Sequence, residues 1–120
     1  MPVIEVEVVS DESLPSGLAR ELAADLALVL GDRPDGTWVR LRRLEASSYA
    51  EGDGGPPPGV RPVFVTVLRA DLPGDDALRD EARRVAAAVA VACRRPPENV
   101  HVMYQPPGRG RAAFGGELLG

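Results

Sequence analysis

The sequence predicts an α+β (α/β) fold in which duplicated β-α-β units form a four-stranded sheet with two helices on one face. Three observations predict it. The chain has 120 residues and is 44% hydrophobic, which suits a single domain over residues 1–120. Apolar residues at helical spacing occur twice, each time after a β-rich run. The two halves also match in spacing: "PVIEVEVV" starts at Pro2 and "PVFVTVLR" at Pro62, and the next strand is reached 37 residues later at Val39 and 38 residues later at Val100. Equal spacing over that length predicts an internal repeat covering about 2–49 and 62–120.

The first strand begins at Pro2, where a proline is tolerated because no ladder donor is yet needed. Leu14, Leu18, Leu22, Leu26 and Val29 then recur at helical spacing, with Ser13 or Asp11 as candidate caps and Gly31 as the stop. "TWVRLRRL" (Thr37–Leu44) reads as the second strand. "AEGDGGPPPG" (Ala50–Gly59) is a loop rich in breakers, and neither half carries enough core to stand alone. After the strand at Pro62, the residues Leu78, Ala82, Val85, Ala86, Val89 and Cys93 form one apolar stripe. Asp75 or Asp76 is the expected cap, and Pro96 and Pro97 lie beyond the end. "NVHVMYQ" (Asn99–Gln105) is the fourth strand, and the glycines of "PPGRGRAAFGGELLG" predict a short terminal hairpin. Right-handed crossovers make the strands within each unit parallel. Alternation puts Val3, Glu5, Glu7 and Val9 on the face without helices, which a symmetric oligomer would cover.

Composition narrows the function. A net charge of -4 and a pI near 5.0 argue against nucleic acid as a partner. No apolar run reaches the roughly 20 residues that span a bilayer, and Glu5 and Glu7 interrupt any leader-like segment. The single cysteine, Cys93, cannot form an internal disulfide, so a reducing cytoplasm is the expected location. No metal-spaced ligand set is present and no cofactor motif is found; the glycines of "GRGRAAFGG" do not form a phosphate loop.

All 14 basic residues are arginines. Arginine stays protonated in proteins, so the only amine able to act as a base is the amino terminus. Proline after Met1 suits a strand start. Once Met1 is removed, it also supplies a rigid secondary amine. Burial and nearby arginines would hold that amine neutral, and a base with a pKa near ambient pH suits proton abstraction next to a carbonyl. Arg40 and Arg42 share one face of the second strand and Arg69 ends the third. Each suits either a solvated strand edge or a clamp on carboxylate and enolate oxygens. His101, Tyr104 and Trp38 are ordinary strand residues that also suit a substrate pocket.

Taken together, "MPVIEVEVV", "VRLRRL", "VTVLR" and "GRGRAAFGGEL" resemble the tautomerase superfamily, which includes 4-oxalocrotonate tautomerase, macrophage migration inhibitory factor and related dehalogenases and decarboxylases. The resemblance spans nearly the whole chain and implies a fused two-unit member, usually a homotrimer. It implies Pro2 as catalytic base, Arg40 as a substrate-binding arginine, and Arg69 near an arginine used by the decarboxylase branch. His101 stands where the duplicated unit would carry an arginine, Ala112 takes the place of a pocket phenylalanine, and Asp71 the place of a second arginine. No counterpart of the water-activating acid is found. The implied activity is keto-enol proton transfer on a small 2-oxo acid through Pro2, with Arg40, Arg69, Tyr104, His101 and Trp38 around the substrate. The alternatives are dehalogenation or decarboxylation of a three-carbon acid, or a non-catalytic trimeric binding module.

Overall fold

The computed structural model describes residues 2–120, so the expected removal of Met1 lies outside the described residues. Strand β1 (Val3–Ser10), helix α1 (Leu18–Leu30) and strand β2 (Trp38–Glu45) form the first unit. Strand β3 (Val63–Leu68), helix α2 (Asp75–Cys93) and strand β4 (Val100–Tyr104) form the second. A hairpin of β5 (Ala113–Phe114) and β6 (Glu117–Leu118) closes the chain.

The sheet runs β2-β1-β3-β4. Within each unit the strands are parallel, and the two units meet antiparallel through β1 and β3. Both central strands alternate strictly on the helix side. Ile4, Val6 and Val8 of β1 and Val63, Val65 and Val67 of β3 are buried against Leu18, Leu22, Leu26, Val85 and Val89. Burying a side chain of that kind contributes about 1.5–3 kcal/mol, which is how a chain so poor in aromatics makes a core. Val9, assigned to the open face by alternation, is 1% exposed yet lies outside this cluster.

Helix α1 starts later than its leucine spacing suggests. Gly17 at φ 86° is its N-cap and no side chain caps it. Pro15 explains the delay, because it disfavours helical geometry at Leu14; Ser10 instead closes a local turn with Glu12. Gly31 ends α1 at φ 66°, its N–H meeting the Ala27 and Leu28 carbonyls. Helix α2 is capped by Gly74, with Asp75 and Asp76 inside its first turn, where carboxylates favour the helix dipole. Its end is made by Arg94 in the left-handed region, φ 57°. Arg95 ties that end down by donating to the carbonyls of Arg61, Cys93 and Val9. No helix of the described residues is long and apolar enough to cross a membrane.

Candidate active site

Chain direction brings one set of ends together. The start of β1, the end of α1, the start of β2, the end of β3, the start of α2 and the end of β4 all lie at the same end of the sheet. Pro2 heads the central strand there. It is buried, and its carbonyl accepts from the Trp38 N–H at 3.0 Å, so it extends the β1–β2 ladder by one step. The β1–β3 ladder pairs Val3 with Leu68 and Ile4 with Val67, so the next step sets Pro2 opposite Arg69.

The sheet divides the other candidate residues. On the helix side, Arg69 and Tyr104 converge on Glu81 of α2. Glu81 Oε1 accepts from Arg69 Nη1, and Oε2 accepts from the Tyr104 hydroxyl at 2.8 Å. Glu81 is 5% exposed, and it is the only charged residue fully buried among the described residues. Burial, followed by the hydrogen bond to the Glu81 carboxylate, pushes the Tyr104 phenol well above its ordinary range. Tyr104 is therefore a neutral donor.

Arg40, Trp38 and His101 lie on the open face. Arg40 pairs with Glu5 at 2.6 Å, its direct register partner, and Arg42 reaches Glu7 at 3.6 Å. His101 is exposed, its ring 5.4 Å from Phe64, the residue opposite it on β3. Tyr49 reaches Phe64 from the other side at 5.7 Å. Trp38 meets Phe114 of the terminal hairpin edge-on at 5.5 Å. A cavity of about 430 Å³ opens on this face, with Val3, Arg40, Leu68, Gln105, Arg111 and Ala112 in its lining. Its lining thus includes the direct neighbours of Pro2 and Arg69, two arginines and the small Ala112. A second cavity of about 320 Å³ lies between the Glu7–Arg42 pair and Phe64.

The hairpin is fixed beside these groups. Arg109 makes a two-pronged contact with Asp71 at 2.9 and 2.6 Å and also donates to the Gly120 carbonyl. The hydrogen bond from Arg109 holds the Asp71 carboxyl below its usual range. Gly108 sits where its N–H reaches the Arg69 carbonyl at 2.8 Å. A Cβ there would stand 3.3 Å from a Leu68 methyl and 3.4 Å from the Arg69 carbonyl oxygen, a tight fit that would press the Leu68 side chain aside by a few tenths of an ångström.

A Cys–His nucleophile pair is excluded by position. Cys93 is buried at the far end of α2, where desolvation pushes its thiol up to about 11, while His101 faces outward across the sheet. Among the described residues no cluster of His, Cys, Asp and Glu suits a metal ion.

Glu81 was not among the residues singled out from sequence. Its signal was nonetheless there: it lies four residues before Val85 and eight before Val89, in phase with the buried stripe of α2. A carboxylate at such a position needs a partner to be tolerated.

No protein-family model matches the chain, and no curated protein matches it in sequence. Solved structures do match. The chain is similar to a macrophage migration inhibitory factor from Oncomelania hupensis (21% identity, all of this chain and 83% of that one, TM-score 0.74). It is also similar to the Q0 fused 4-OT symmetric trimer (12% identity, 98% and 94% of the two chains, TM-score 0.78). A third match is a protein inactivated by 2-oxo-3-pentynoate (11% identity, 98% and 94%, TM-score 0.75). The chain therefore has the fold of macrophage migration inhibitory factor and the fused 4-OT proteins, which is the fold implied by its resemblance to the tautomerase superfamily.

Proposed function

We propose that this protein is a tautomerase that interconverts keto and enol forms of a small 2-oxo acid, with the Pro2 amine as general base after Met1 is removed. The observation that carries this reading is the position of Pro2, buried at the head of a central strand, with Arg69 one residue past the end of the adjoining β1–β3 ladder. Apolar surroundings and a neighbouring guanidinium both favour the uncharged amine, which is the form able to take a proton from carbon. Because the chain has no lysine, no other amine competes for the role.

In this mechanism the substrate lies over the end of the sheet, against the cavity that includes Val3, Leu68 and Ala112. Pro2 removes a proton from the carbon beside the carbonyl and returns it at the other end of the conjugated system. Charge builds on oxygen as the proton leaves, and guanidinium groups stabilise it. Arg69 is nearest in register, and Arg40 and Arg111 face the open-side cavity. Trp38 and His101 lie on the same open face but outside the lining of this cavity, so the proposed role for them is toward substrate held by a neighbouring copy. Tyr104 points to the other side and acts through Glu81.

The working form is proposed to be a homotrimer. The open face carries Phe64, Thr66 and Met103 on β3 and β4 beside two β1–β2 ion pairs, a mixed surface suited to packing against another copy. The trimer of the similar fused 4-OT supports the same reading. Light scattering reads the assembly directly.

The decisive experiment compares wild type and Pro2→Ala on phenylpyruvate enol or 2-hydroxymuconate, with intact mass establishing that Met1 is absent. Wild type is expected to ketonise the substrate, and the variant to lose at least about 10²-fold in kcat/KM, the usual contribution of a positioned general base. Equal rates reject the assignment. Retained Met1 would block the amine and leave a binding module as the reading.

A further inference from the structure

Glu81 takes no direct part in the proton transfer, yet the fold buries it where a valine or leucine would pack at lower cost. A buried ion pair is weak ground for stability, since apolar replacements of similar volume often serve as well or better. The arrangement does fix two side chains from different strand ends. Arg69 comes from the end of β3 and Tyr104 from the end of β4, and Glu81 gives one oxygen to each. Alternation puts both on the helix side, together with Pro2; Pro2 and Arg69 each lie one residue beyond the last β1–β3 pair, Val3 with Leu68. The side chain of Arg69 is 23% exposed and that of Glu81 7%, so solvent screens neither charge fully.

We propose that Glu81 is a positioning residue for Pro2: it holds the Arg69 guanidinium at the head of β1 and offsets part of the positive charge that Arg69 presents there. The inference rests on the proline reading given above and extends it by naming what regulates the base. Glu81 engages one nitrogen of the guanidinium, which leaves the rest of the fork for a substrate carboxylate. The other arginines near this end with carboxylate partners are already neutralised. Arg33 is held by Asp35, Arg84 by Asp80, Arg109 by Asp71 and Arg40 by Glu5. Arg111 donates to the Pro107 carbonyl. Tyr104 stays neutral across the working range, so Arg69 and Glu81 are the charges shared directly between the sheet and α2 at this end, while Arg111 adds its charge on the open face.

The sign follows from electrostatics. A cation beside the amine disfavours protonation, and an anion opposes the cation. Glu81→Gln keeps an acceptor for Arg69 and a polar contact for Tyr104 while deleting the charge. It should move the protonation midpoint of Pro2 to lower pH by about one pH unit. Arg69→Met should move it to higher pH. The Glu81→Gln/Arg69→Met double variant, with no charge left buried, should lie between the two.

The readout is alkylation of the amine by 2-oxo-3-pentynoate, followed by intact mass against pH, with folding checked by circular dichroism. This assay needs no turnover. Opposite displacements in the two single variants support the inference. Folded variants with unmoved midpoints, or midpoints that move together, overturn it. If wild type alkylates at Pro2 with this dependence but ketonises no enol, the tautomerase assignment fails and the role of Glu81 stands. If Pro2-dependent ketonisation is present and the midpoints do not move, the assignment stands and the inference fails. No adduct at Pro2 in any folded form removes both.

Discussion

Two arginine–carboxylate pairs lie near the same end of the sheet, on opposite faces. Arg40–Glu5 is on the open face, with side chains 67% and 42% exposed. Arg69–Glu81 is on the helix face, with side chains 23% and 7% exposed. Their chemistry is the same and their surroundings are not. Water solvates the first pair with or without its partner, so the contact adds little. The second pair has been stripped of much of its water, and each member depends on the other. Position along a strand is thus a poor guide to what an arginine contributes, and the depth of its partner a better one.

The largest break in this comparison is Glu81→Ala. It leaves Arg69 unpaired in a largely dry site and Tyr104 without its acceptor. A loss of about 3–5 kcal/mol in unfolding free energy is expected, measured by denaturant titration. The open-face substitution Glu5→Gln should stay within about 1 kcal/mol, and its effect should shrink further in high salt. Comparable losses at the two sites would remove the distinction between the faces.

A second test uses alkali. The native state holds the Tyr104 phenol above its ordinary pKa, so this group's contribution to stability is complete below about pH 10 and falls as pH rises and the unfolded chain ionises. Tyr104→Phe should flatten that alkaline decline in a melting series. The smallest effect is expected at the hairpin. Arg109 lowers the Asp71 pKa, so this exposed pair adds stability above the unfolded carboxylate range and loses it as pH falls. Asp71→Asn should therefore lower stability slightly in the neutral range, flatten the acid decline and leave the lowest-pH values nearly unchanged.

Much of the fold was legible because it rests on local pattern. Period-two valines in β1 and β3, helical stripes in α1 and α2, Gly31 as a stop and the matched spacing from Pro2 and Pro62 are all short-range signals. Leucine spacing alone starts α1 several residues too early, since Pro15 delays the helix to Leu18. The candidate site was legible in residue type and incomplete in arrangement. Arg69 and Tyr104 read as companions of Arg40 and His101, but strand alternation and the position of α2 send them to the other face. Glu81 was hidden by its own stripe, where a carboxylate among apolar neighbours reads as a helix surface residue until its partners are seen.

The sequence by itself determined the elements, their order and the lack of any side-chain amine, because these follow from backbone preference, periodicity and the absence of lysine. Only the tertiary structure decided which arginine is dry, which carboxylate faces it and what stands opposite Pro2. Those facts depend on how residues far apart in the chain share a face of one sheet, and on how much water each face retains.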